Sequence, residues 1–263
     1  MKTRLFRKMM ILSVALNTLA AIGLVALIEK KGGWSWLDRQ VPRVLGAMRG
    51  GSVSSGFPNT SLSVYGRLPV APGDIVMLGD DLLEYGAWHE LLGDPRAKNR
   101  AIVGDDTHAM IERLGQVVAG GPRHVVVCCG SNNLRRRVPR AQTVREYVRI
   151  VTTLASRSPD TDIWLLPVLP VNRRLYREWI APDWPYLNIP SHREVEALNA
   201  EIRALAADRP RVHFLDLREV VDSAGELRQD CTLDGFHLNG EGFQRVAMRL
   251  RDNLLGNPGA PRK

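Results

Sequence analysis

Four short polar clusters punctuate the apolar stretches of this chain, and each carries side chains able to hold charge, donate hydrogen bonds or move a proton. Gly79-Asp80-Asp81 follows the apolar run Ile75–Leu78, and Gly104-Asp105-Asp106-Thr107 follows a weaker one at Asn99–Val103. Gly130-Ser131-Asn132-Asn133 follows Val125–Cys129. The fourth, Thr232-Leu233-Asp234-Gly235-Phe236-His237-Leu238-Asn239, comes after Val212–Leu215 and holds the one histidine of six that sits in such a motif. Taken singly, each cluster reads as a turn or a helix N-cap, the role expected of Asp106 and Asn239. Their order and spacing together ask for more than turns.

The elements that must position them follow from hydrophobic periodicity. The short apolar runs, with one more at Ile163–Leu169, read as strands buried on both faces. Between them lie helical patterns: Val144, Tyr147, Val148, Val151, Leu154 and Ala155 share one face, Val195, Leu198, Ile202 and Leu205 a second, and Phe243, Val246, Ala247, Leu250 and Leu254 a third. Strands alternating with helices imply right-handed crossovers, hence a five-stranded parallel sheet in a three-layer α/β/α sandwich. Chemistry in such sheets gathers beyond the carboxyl ends of the strands, where the four clusters fall.

The segments Gly-Asp-Ile-Val-Met-Leu-Gly-Asp-Asp (73–81), Lys-Asn-Arg-Ala-Ile-Val-Gly-Asp-Asp-Thr (98–107), Gly-Ser-Asn-Asn (130–133), Leu-Pro-Val-Asn (169–172) and Asp-Gly-Phe-His-Leu-Asn (234–239) resemble the SGNH (GDSL) hydrolase superfamily. The branch resembled is that of the platelet-activating-factor acetylhydrolase catalytic subunits and bacterial carbohydrate acetylesterases. The resemblance runs from about Gly73 to Leu254. It implies a serine after Gly-Asp that attacks an acyl ester, a histidine base, and an aspartate three residues earlier that orients the imidazole. It also implies an oxyanion hole from the nucleophile's backbone N–H, the second-cluster glycine N–H and the third-cluster asparagine side chain. By position these are His237, Asp234, Gly104 and Asn132, with the backbone N–H of Asp81 as the remaining oxyanion donor. Two positions depart from the pattern: Asp81 stands where the serine belongs, and Asn133 where an aspartate is usual.

A carboxylate at 81 changes the chemistry. Attack on an acyl carbon would give an anhydride, and the tetrahedral intermediate would expel the carboxylate more readily than an alkoxide. The Asp81 charge can also occupy the oxyanion donors and pair with His237, favouring an imidazolium that cannot act as a base. Three readings stay open: Asp81 and His237 activate a water; Asp81 attacks a tetrahedral carbon; or the domain is a pseudoenzyme that binds a glycan or a lipid headgroup.

Cys231, three residues before Asp234, is a poor substitute nucleophile, because it belongs to a loop and the oxyanion donors are aimed at position 81. Cys128 and Cys129 read as small apolar residues of a strand, so three cysteines give no disulfide framework. No metal-ligand spacing occurs, and neither metal nor cofactor is expected. Seven arginines follow strand ends: Arg135, Arg136, Arg137, Arg140, Arg173, Arg174 and Arg177. They read either as a solvated helix face or, with Arg136 and Arg173 foremost, as a basic rim for an anionic substrate. Trp179, Trp184 and Tyr186 are expected to pack in loops, with sugar stacking the alternative.

The 263 residues hold 36 Lys+Arg against 28 Asp+Glu, a net charge of +8. That basicity is not a nucleic-acid signature, because residues 1–31 alone carry +5 and the other 232 only +3. The ordinary hydrophobic share of 44% and charged share of 24% exclude a disordered or collagen-like chain. From Met9 to Ile28 no charge occurs, a run that spans about 30 Å as a helix, the thickness of a bilayer core. Four basic residues precede it, so the N-terminus is expected in the cytoplasm and the rest outside, periplasmic in a Gram-negative cell. A signal peptide cut near Thr18-Leu19-Ala20 is the rival, and it exports the domain as well. The expected division is a membrane anchor at 1–31, a linker at 32–72 with Trp34 and Trp36 at the interface and a short helix near Leu37–Met48, the hydrolase-like domain at 73–254, and a disordered tail at 255–263. The expected partners are an acylated glycan or lipid substrate and the membrane; nothing in the sequence sets the oligomeric state.

Overall fold

A computed structural model describes residues 60–183 and 188–255, together with Asn17, Thr18, Gly23, Val25, Ala26, Glu29 and Lys30. The chain separates into two units, Met1–Phe57 and Pro58–Lys263. In the second, the elements run α1 (Thr60–Tyr65), β1 (Ile75–Gly79), α2 (Asp81–Glu84), α3 (Trp88–Leu92), β2 (Ala97–Asn99), α4 (Thr107–Val118) and β3 (His124–Cys128). They continue α5 (Ser131–Arg135), α6 (Arg140–Arg157), β4 (Asp162–Leu165), α7 (Arg173–Trp179), α8 (His192–Ala204), β5 (Val212–Phe214) and α9 (Gly240–Leu254).

The five strands form one parallel sheet in the order β2-β1-β3-β4-β5. Every residue of β1 and β3 is buried, as expected of strands covered on both faces. Alternation sorts their side chains. Ile75, Met77 and Val126 face Trp88 of α3 and Phe243, Val246 and Leu250 of α9. Val76, Leu78, Val125 and Val127 face Met110, Leu114, Tyr147, Ile150 and Leu198 of α4, α6 and α8. These two cores, one on each side of the sheet, are the expected three layers.

Several boundaries differ from the sequence reading. The second strand lies at Ala97–Asn99 rather than Asn99–Val103, although Arg100 N and Ile102 N still donate to Met77 O and Gly79 O and carry the backbone along β1. The fourth strand stops at Leu165, short of Pro167 and Pro170, which have no N–H to continue the ladder. On α6, Thr143, Tyr147, Ile150, Val151 and Leu154 are buried, whereas Val148 and Ala155 are exposed at the stripe's margin. The folded unit also begins earlier than residue 73. The Ser61 hydroxyl donates to Glu84 Oε1 at 2.8 Å, Arg100 lies over the Tyr65 ring, and Val70 is buried in the core.

Among the described residues no helix is long and apolar enough to cross a membrane. Most of the expected span at Met9–Ile28, the helix near Leu37–Met48 and the tail beyond Leu255 lie outside the described residues.

Candidate active site

Three strand ends and one late loop build the site. β1 runs into Asp80, whose carboxylate caps α2 by accepting from Leu82 N at 3.1 Å. That cap puts Asp81 at the first helical position, at the sheet's carboxyl edge. Beyond β2 the backbone turns at Gly104 with φ +81°, a left-handed conformation that points its N–H back toward Asp81. Beyond β3, Gly130 makes a similar turn and α5 starts, placing Asn132 on the same side.

The late loop is held by its own polar side chains. Asp234 Oδ1 accepts from Phe236 N at 2.9 Å and His237 N at 2.8 Å. The Thr232 hydroxyl donates to His237 O at 2.6 Å and accepts from Gly235 N at 2.9 Å. Asn239 then caps α9, accepting from Gly242 N. In this frame Asp234 Oδ2 meets His237 Nδ1 at 2.5 Å, leaving Nε2 to face the strand ends.

These pieces converge on Asp81. Its Oδ2 accepts from Gly104 N at 2.9 Å and from Asn132 Nδ2 at 2.6 Å, and its Oδ1 lies 3.6 Å from His237 Nε2. Burial works against the charge on Asp81, but His237, the nearby Arg135, Asn132 and Gly104 outweigh it and hold the carboxyl below its ordinary range. Burial likewise disfavours the His237 imidazolium, yet Asp234 and Asp81 lift its pKa from 6.5 to about 9. Asp234 falls to about 2, the His237 and backbone donors overcoming burial. Asp80 moves the other way: burial and the neighbouring Asp81 charge push it up, against the Ser131 hydroxyl that donates to it. At neutral pH the site therefore holds a carboxylate in contact with both donors and an imidazolium beside it.

Asp81, Gly104, Asn132, Asp234 and His237, singled out from the sequence, thus meet in one place. Asn133 braces the neighbouring turn, its Oδ1 accepting from Thr107 N and its Nδ2 donating to Thr107 Oγ1 at 2.7 Å. The arginines divide. Arg136 belongs to the wall of the site and not to an open rim: it donates to Gly104 O at 2.8 Å and pairs with Asp106 at 3.1 Å. Arg173 is half-buried, donating to Pro190 O, with its backbone N–H on Glu226. Arg135, grouped with them by the sequence, is buried inside the site. Arg137, Arg140, Arg174 and Arg177 are exposed, as is Trp179, and Trp184 and Tyr186 lie outside the described residues. Burial pushes the Cys231, Cys128 and Cys129 thiols up, away from reactive thiolates.

Sequence reasoning missed three supports. Phe236 and Tyr85 lie edge-on to the His237 ring at 4.9 and 5.8 Å. Buried Arg113 donates to Asp105 Oδ2 at 2.6 Å, Arg100 O at 2.5 Å and Gly79 O at 3.1 Å, tying together the turns after β1 and β2. Arg135 is the third, hidden by its place in a run of exposed arginines. A separate cavity of about 450 Å³ lies between α8 and the segment after β5, lined by Val195, Asn199, Arg203, Phe214 and Arg218 among others; none of the five converging residues borders it.

A parallel-sheet sandwich with an Asp–His pair and two oxyanion donors beyond its strand ends defines a hydrolase of the SGNH class. Residues 78–245 match the GDSL-like lipase/acylhydrolase family, and the chain belongs to it, a family of hydrolases acting on ester bonds. The chain is 29% identical over 203 residues to platelet-activating factor acetylhydrolase IB subunit alpha1 of Bos taurus, covering 72% of this chain and 81% of that protein. The human subunit is 28% identical over 190 residues, 69% and 75% of the two chains. Among solved structures, a Streptococcus pneumonia protein provisionally named a platelet activating factor superposes with a TM-score of 0.63 at 24% identity, covering 90% and 99%. That last likeness is one of fold.

Proposed function

We propose that this chain is a membrane-anchored member of the ester-hydrolysing family in which Asp81 takes the nucleophilic serine's position and restrains turnover. Its substrates on this reading are acyl esters, acetyl above all, of a cell-surface glycan or lipid. The N-terminus is cytoplasmic and the domain extracytoplasmic. One observation carries the reading: Asp81 Oδ2 accepts from both Gly104 N and Asn132 Nδ2, the donors an ester oxyanion would need.

The restraint has two physical parts. The charge already on the donors must leave before a substrate oxygen can use them. His237, with a pKa of about 9, is protonated at neutral pH and cannot accept a proton from a nucleophile. The Asp234–His237 pair and the two donors are otherwise in working relation, which favours restrained hydrolysis over a site with no chemistry left. The filled oxyanion hole favours the alternative, an inactive module that binds a glycan or lipid.

A four-way assay on a panel of short acyl esters separates them. Asp81→Ser is expected to raise acetyl-ester hydrolysis at least ~10-fold over the natural chain, by freeing the donors and leaving His237 a neutral base. Asp81→Ala is expected to stay inactive, and Asp81→Ser/His237→Ala to lose the gain. If the natural chain is the fastest of the four, Asp81 is itself catalytic and the restraint is wrong. If all four are inert, the binding-module reading replaces this one.

A further inference from the structure

We propose that Arg135 is a positioning residue, its buried guanidinium fixing the amide of Asn132 so that Nδ2 rather than Oδ1 faces the oxyanion position. The inference rests on the reading above that this position serves ester chemistry.

The Asn132 amide has two possible orientations. In the one present, Nδ2 donates to Asp81 Oδ2 at 2.6 Å and to Asp105 O at 2.9 Å, and Oδ1 accepts from Arg135 Nη1 at 3.3 Å. Turned by half a revolution, Oδ1 would face a carboxylate and a carbonyl, and the amide N–H groups would face a cation. All three contacts would become repulsive. During turnover Asp81 must leave the donors, and the amide then keeps its orientation through Asp105 O at one end and Arg135 at the other.

Arg135 is built to stay where it is. It is only 6% exposed, and among the described residues no carboxylate lies within ion-pair distance of it. A buried cation is costly unless polar groups receive it. Here Nε donates to the Tyr176 hydroxyl at 3.0 Å, and the guanidinium lies 4.1 Å from the Phe236 ring centroid. Phe236 in turn packs against His237. One cation therefore ties the oxyanion amide to the loop that carries the base, and its planar fork fixes direction as a flexible ammonium does less well. Its positive charge also acts on the carboxylate that occupies the donors.

The first test needs no activity. The full chain is labelled with 15N-asparagine in detergent micelles, Asn132 is assigned by its loss in Asn132→Ala, and exchange of its side-chain protons with water is followed by NMR. Exchange is expected to be slow in the natural chain and at least ~10-fold faster in Arg135→Met, as a hydrogen bond to a charged group is lost. Arg135→Lys is expected to retain part of the protection. Should Arg135→Met fail to fold, Arg135→Gln is measured in its place with the same expectation. Rapid exchange in the natural chain, or no change in the uncharged variant, overturns the proposal.

The second test uses Asp81→Ser. Adding Arg135→Met is expected to lower kcat on the order of 100-fold with KM nearly unchanged, the pattern of a misplaced oxyanion donor. An unchanged kcat in an active Asp81→Ser background also overturns it. If neither the natural chain nor Asp81→Ser hydrolyses an ester, the ester reading has failed, and the exchange measurement still decides the role of Arg135.

Discussion

Asp81 and His237 each hold the other in its charged state, so the site's protonation is set by the pair and by Asp234 behind it. The His237 pKa of about 9 lies above its unfolded value of 6.5, so this group's contribution to stability is complete below about 6.5 and lost as pH rises through 9. Asp234 has the opposite sign: its contribution is present above about 4 and lost as pH falls through about 2. The contributions therefore coexist between roughly pH 4 and 6.5 and weaken on both sides. Titration of the His237 ring by NMR is expected to give a pKa near 9 in the natural chain, with Asp81→Asn and Asp234→Asn each moving it down toward 6.5. A ring titrating near 6.5 in the natural chain would remove the basis of the restraint argument. The polar clusters were legible as short stretches after apolar runs, and the roles of Asp81, Gly104, Asn132, Asp234 and His237 came from the resemblance of those motifs to the SGNH superfamily. Arg135 was not, since its burial depends on Tyr176 and Phe236, both remote in sequence.

Turns place these side chains, and two glycines of similar positive φ separate conformation from crowding. Gly235 has φ +86°, and a Cβ there would stand 2.4 Å from Tyr176 N and 2.5 Å from Asn172 O. Gly73 has φ +92° with nothing within 4 Å of such a Cβ. Gly73→Ala is thus expected to cost about 1–2 kcal/mol, the left-handed penalty alone. Gly235→Ala is expected to cost at least ~3 kcal/mol and to shift His237, because the clash is with backbone and adds to that penalty. Urea denaturation measures both, and equal costs would mean that the loop relaxes around the added methyl. Strands and helices were legible wherever a period was long, as on α8 and α9, whose predicted faces are all buried. The start of the folded unit was not. α1 has no buried residue of its own and is tied in by single contacts such as Ser61 to Glu84, which leave no periodic trace.

At the scale of the whole chain, charge and hydropathy are divided unevenly. Residues 1–31 carry +5 of the net +8 and contain a 20-residue run without a charge, whereas the compact unit beginning at Pro58 has the mixed composition of a domain surrounded by water. Inserting such a run into a bilayer is favourable, and moving four cations across one is not, so the basic end is expected to stay in the cytoplasm. The consequence is testable without knowing the substrate. Reporter fusions at Gly33 and at the C-terminus are both expected to read as extracytoplasmic, and the full chain to stay with membranes through an alkaline wash. Removal of residues 1–57 is expected to give a soluble, folded domain, because the core contacts lie within Pro58–Lys263. A chain released by the wash and shortened at about Ala20 would replace the anchor with a cleaved signal while keeping the export. A C-terminal reporter active in the cytoplasm would overturn the topology, and with it the surface-ester substrates, since the site would then face metabolites of the cell interior.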